Sequence, residues 1–117
     1  MNTASIAPER PDDDTTGFKL RVVLHAPTAG ALTRARNNAM NLLKTDPEAV
    51  VRVVVNGDAV GAALDTPHLS ADALTLVCPN TLLNLKRELR EPLTVLPHAA
   101  VFALALMQRD GWFYIRA

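Results

Sequence analysis

The chain has 117 residues, of which 49% are hydrophobic and only 4% aromatic, and its 12 Lys+Arg balance 12 Asp+Glu to a formal net charge of zero. That length fits one domain whose core must be filled by Val, Leu and Ala. The neutral balance carries no footprint of nucleic acid or an anionic membrane as partner, no apolar stretch approaches the roughly 20 residues that cross a bilayer, and the single cysteine, Cys78, excludes an intrachain disulfide.

Residues 1–17 hold Pro8, Pro11 and the acidic run Asp12-Asp13-Asp14, with almost nothing to bury. They read as a disordered tail before a domain over 18–117, and they lack the apolar run of a secretory signal. The expectation is a cytoplasmic protein.

Residues 20–24, LRVVL, read as a first strand that His25-Ala26-Pro27-Thr28 breaks. Leu32, Ala35, Ala39, Leu42 and Leu43 then recur at helical spacing, and Asp46-Pro47 stops the helix. Residues 50–55, VVRVVV, form a second strand, nearly continuous in valine as a strand covered on both faces should be. Asn56-Gly57-Asp58 turns the chain into a short helix over about 59–64, and Thr66-Pro67-His68 marks a loop that places His68 at the surface. A third strand over 74–77 runs straight into Cys78. Pro79 suits the first turn of a helix, where its missing N–H has no helical partner to lose. Leu82, Leu85 and Leu89 give that helix its stripe, and Pro92 ends it. A fourth strand over 93–96, a helix over about 99–109 opened by Pro97 and His98 and closed by Gly111, and a last strand over 112–115, WFYI, complete the chain.

Strict alternation of strands and helices with short connections predicts an α/β fold, a parallel sheet covered by helices on both faces. The helix in HAAVFALALMQRD is apolar on more than one side. Such a surface is either central in a compact monomer or covered by another subunit.

Ligands of open parallel sheets bind outside the carboxyl ends of the strands. His25, Asn56, Cys78 and His98 follow the first four strands in turn. Cys78 stands where a helix begins, and free N–H groups at a helix N-terminus favour thiolate over thiol. The competing reading is a buried core cysteine. His25 and His98 suit a base or a hydrogen-bond donor, or equally a loop histidine, and Asn56 suits a site or a plain turn. Cys78 with scattered histidines has no metal-ligand spacing, so no metal is expected. No glycine-rich phosphate loop, Walker sequence, nucleophile elbow or C-x-x-C pair is present, so no cofactor is expected.

The run Leu76-Val77-Cys78-Pro79-Asn80-Thr81-Leu82 resembles the C-x-N-T-L signature of DsrE/DsrF-like proteins. Val53-Val54-Val55-Asn56-Gly57 and the ending Gln108-Arg109-Asp110-Gly111-Trp112-Phe113-Tyr114-Ile115 extend the resemblance over about residues 18–117. It implies a three-layer α/β/α sandwich with a five-stranded, mostly parallel sheet, homo- or hetero-oligomers, often trimers or hexamers, with a homo-oligomer expected here, and a link to intracellular sulfur metabolism. It also implies that Cys78 carries persulfide sulfur between a donor and an acceptor protein, with Asn80 and Thr81 shaping the turn around it. Two departures stand out. Pro79 replaces a small or polar residue, and the segment over 65–73 is short, a trimmed lid that could expose Cys78. Two function classes result: a sulfur-relay protein, or a non-catalytic oligomeric binding module for a small ligand or protein, with a structural cysteine. A nucleotide-binding enzyme suits the fold but lacks the phosphate-loop features.

Overall fold

The computed structural model describes residues 19–117, so the expected tail lies outside the described residues. The elements are β1 (Arg21–Ala26), α1 (Ala29–Thr45), β2 (Val50–Val55), α2 (Asp58–Asp65), a 3-10 turn (Asp72–Leu74), β3 (Thr75–Val77), α3 (Pro79–Leu85), β4 (Thr94–Val95), α4 (Ala100–Arg109) and β5 (Phe113–Arg116). The strands form one sheet in the order β4-β3-β2-β1-β5. Every pairing is parallel, as the alternation requires.

Side chains alternate across the sheet. Val22, Leu24, Val51, Val53, Val55 and Val77 pack on one face with α1 and α2, and Leu82 of α3 joins them. Val23 and Val54 face the other way, onto a smaller cluster with Cys78, Leu96, Ala100 and Leu104. The result is a three-layer α/β/α domain with unequal layers, α1, α2 and α3 on one side and α4 on the other.

Local chemistry sets the ends. The Thr28 Oγ1 accepts the Ala31 N–H at 3.1 Å and caps α1. Replacing Thr28 by Ala should cost about 0.5–2 kcal/mol in urea denaturation. At the end of α4, Gly111 takes a positive φ of 96°. Its N–H bonds the Gln108 carbonyl and the Trp112 N–H bonds the Met107 carbonyl, a Schellman ending.

Three expectations need correction. His25 and Ala26 do not break the first strand; they pair with Val54 and Val55, and β1 runs the full length of β2 until Pro27. The third helix stops at Leu85, where Lys86 turns left-handed at φ 56°, so Leu85 is exposed and Leu89 packs on the core from the following loop. Of the two readings of the last helix, the centrally buried one does not hold: Val101 is 73% and Phe102 48% exposed, because no second helix among the described residues flanks it on that face.

The shortened segment before β3 is held by buried charge. Asp72 is 2% exposed. Its Oδ1 lies 3.3 Å from Arg36 Nη2, its Oδ2 lies 2.8 Å from Arg90 Nη1, and Oδ2 also accepts the His68 N–H at 3.0 Å. Arg90 further donates to the Leu64 carbonyl at 3.1 Å and the Ala63 carbonyl at 2.6 Å, closing the end of α2. His68 is not a free surface residue; its Nδ1 accepts the Ala71 N–H at 3.0 Å. Burial pushes the Asp72 carboxyl up, but Arg90, the His68 N–H and Arg36 together hold it below the ordinary carboxylate range.

Candidate functional site

Cys78 leaves β3 and forms the N-cap of α3, with Pro79 at the first helical position. Its N–H donates to the Val55 carbonyl at 3.0 Å and its carbonyl accepts the Leu82 N–H at 3.1 Å, so the residue is fixed on both sides. The Sγ accepts the N–H of Ala100, the first residue of α4, at 3.4 Å. Burial opposes the thiolate. The backbone N–H groups of Thr81, Ala100 and Asn80 and the Thr81 hydroxyl outweigh that cost and bring the thiol below its ordinary value. The Thr81 Oγ1 also accepts the Gly57 N–H at 3.3 Å, which leaves its proton free to point at sulfur.

Cys78 is only 5% exposed. The expectation that the short segment over 65–73 uncovers it is therefore corrected. The cover comes from α4, whose first residue, Ala100, packs in the same cluster and bonds the sulfur.

Asn80 and Thr81 stand beside Cys78 in the first turn of α3. His25 and Asn56 form a second group instead. His25 Nε2 lies 3.0 Å from Asn56 Oδ1, and His25 Nδ1 lies 2.7 Å from the Tyr114 hydroxyl. With Nε2–H donating to Asn56, Nδ1 accepts from Tyr114. Among the described residues, no side-chain hydrogen bond joins Cys78 to His25, Asn56 or His98. His98 is exposed and meets the Phe102 ring edge-on at 5.4 Å.

Tyr114 and Gln108 were not expected at a site. With His25 and Asn56 they border a groove of about 340 Å³, walled by Val101, Leu104 and Ala105 of α4. Tyr114 reaches His25 only because β5 docks beside β1, with Val23 opposite Tyr114 and His25 opposite Arg116. Leu104 lines the groove and also packs in the Cys78 cluster, so the two places share a wall.

Gly57 joins them at the other side. Its φ of 54° with ψ of −141° suits glycine alone, and an added Cβ would sit 2.8 Å from the Pro27 carbonyl oxygen. Gly57→Ala should cost about 2–3 kcal/mol in thermal unfolding, because neither the backbone region nor the Pro27 carbonyl can yield cheaply.

Among the described residues, no group of three or more His, Cys, Asp or Glu side chains is placed to hold a metal ion, and no helix is long and apolar enough to cross a membrane. No family model matches the chain, and no curated protein matches it.

Proposed function

We propose that the protein is a sulfur carrier of the kind its C-x-N-T-L run suggests, with Cys78 as the carrying residue. The supporting observation is the Ala100 N–H of α4 donating to the Cys78 sulfur at 3.4 Å at the start of α3, where the nearby Asn80 and Thr81 N–H groups add to the pull on the thiol. These favour the thiolate, the form that attacks sulfur. The Cys78 thiolate attacks the outer sulfur of a donor persulfide. The donor S–S bond breaks, the donor leaves as a thiolate, and Cys78 holds the outer sulfur as a persulfide. An acceptor thiolate then attacks that sulfur and Cys78 departs as thiolate, with no net oxidation. Asn80 and Thr81 position the sulfur. Among the described residues no side-chain hydrogen bond brings His25, Asn56 or His98 to the sulfur.

In this reading the protein is cytoplasmic, works with a donor and an acceptor protein, and assembles as a trimer or hexamer. The exposed Phe113 and Ile115, on the side of β5 away from His25, suit a subunit contact.

The burial of Cys78 favours a second reading, a non-catalytic binding module in which the cysteine is structural. Mass spectrometry after incubation with a persulfide donor separates the two. The carrier gains the mass of one sulfur on the Cys78 peptide, dithiothreitol removes it, and Cys78→Ser takes up none. A folded wild-type chain that stays unmodified supports the structural cysteine.

A further inference from the structure

We propose that the groove beside His25 is a second site, one that binds a small aliphatic carboxylate. It does not rest on the sulfur chemistry of Cys78.

Three observations carry it. The first is topological. The chain progresses from β1 through β2 and β3 to β4 toward one edge, then returns over α4 to place β5 on the other side of β1. The sheet order therefore reverses between β1 and β5, and the crevice at the carboxyl ends of such a pair is where open α/β sheets take ligands. The groove lies there.

The second is the chemistry of its polar floor. His25, Asn56 and Tyr114 form a hydrogen-bonded chain that fixes the imidazole between an amide and a phenol. The Asn56 oxygen is used on His25, so its NH₂ group remains to donate outward. Arg116 is not one of the lining residues, but it sits opposite His25 in register, on the same face of the sheet beside the groove, and its guanidinium has no ion pair among the described residues. Among those residues no Asp or Glu lines the groove. A free amide donor in the groove, a guanidinium on the strand that borders it and no Asp or Glu in its lining favour an anion, and a guanidinium suits a carboxylate in particular.

The third is the wall. Val101, Leu104 and Ala105 present an aliphatic surface along α4. Val101 is 73% exposed, with nothing among the described residues covering it. A carboxylate head on the Asn56 amide, drawn by the charge of Arg116 beside the groove, and an alkyl chain along α4 use both halves of the groove, whose volume suits a small ligand.

The test is an ¹H–¹⁵N NMR titration of the full chain with hexanoate, hexan-1-ol and hexylammonium. Hexanoate is expected to shift the amides of Val101, Ala105 and Tyr114 with millimolar affinity, and hexylammonium is not. Arg116→Gln should weaken hexanoate about three- to tenfold. Val101 is exposed, so charge changes there leave the fold intact. Val101→Glu should weaken hexanoate at least about fivefold and Val101→Lys should tighten it about two- to fivefold, the sign following the charge. The proposal is overturned if the three probes shift the groove alike, if hexanoate acts elsewhere or gives no shift below about 20 mM, or if the two Val101 variants change affinity in the same direction.

Discussion

Asp72→Ala is expected to destabilise the protein by about 3–5 kcal/mol, a larger loss than that of Thr28→Ala or Gly57→Ala. The carboxylate is buried between two guanidinium groups. Its removal leaves Arg36, itself buried, without an anionic partner among the described residues, and leaves Arg90 with carbonyls alone. The Nε of Arg36 already has no hydrogen-bond partner, so the cluster holds no spare acceptor. At about 4–8 °C per kcal/mol for a domain of this size, the thermal midpoint should fall by more than about 12 °C. The exposed pair Arg87–Asp65 at 2.8 Å is the control: Arg87→Ala should leave the midpoint almost unchanged, because water replaces the partner. Acid supplies a second check. The Asp72 carboxyl titrates lower in the folded protein than in the unfolded chain, so its stabilisation is complete above the unfolded carboxylate range. It is lost as pH falls through the lower folded value. The gap between wild type and Asp72→Asn in urea denaturation should therefore narrow on going from neutral pH to about pH 3 or below. A gap that stays constant would mean that the carboxylate charge is not what holds the segment.

The second large effect is on Cys78 reactivity. Alkylation by iodoacetamide should follow a titration whose midpoint lies below that of a free cysteine, because three backbone N–H groups and the Thr81 hydroxyl favour the thiolate over the opposing cost of burial. The thiolate, and with it the reaction, is lost as pH falls through that lowered value. The plateau at higher pH should be at least about tenfold slower than for a free thiol, because the sulfur is covered by the start of α4. Thr81→Val removes the hydroxyl while keeping the N–H, so the midpoint should move up toward the ordinary thiol value of about 8.5. Thr81→Ser should leave it in place. A wild-type midpoint at or above the ordinary value would remove the physical basis of the sulfur-carrier reading and leave the structural cysteine.

Legibility in the residues differs from element to element. VVRVVV over 50–55 declares a doubly covered strand, and β2 occupies those residues in full. Cys78-Pro79 declares a strand-to-helix junction, because proline is welcome only in the first helical turn. The end of β1 is not legible, because His25 is a weak strand former by itself; pairing with Val54 keeps it extended. The end of α3 is hidden because Leu89 continues the apolar spacing, although it reaches the core from a loop after Lys86 has turned the chain.

The amino-acid sequence by itself determined the α/β alternation, the parallel sheet it requires, and the meeting of Cys78 with a helix start, because each follows from local spacing and local backbone preference. Only the tertiary structure decided which strand ends are neighbours. Tyr114 meets His25 across 89 residues because β5 docks on β1, while His98 has Phe102 as its ring partner. It also decided that Cys78 is covered and hydrogen-bonded from a second helix. Strand order and the face taken by a crossover depend on the packing of distant apolar surfaces against one another, and no local window of residues contains that information.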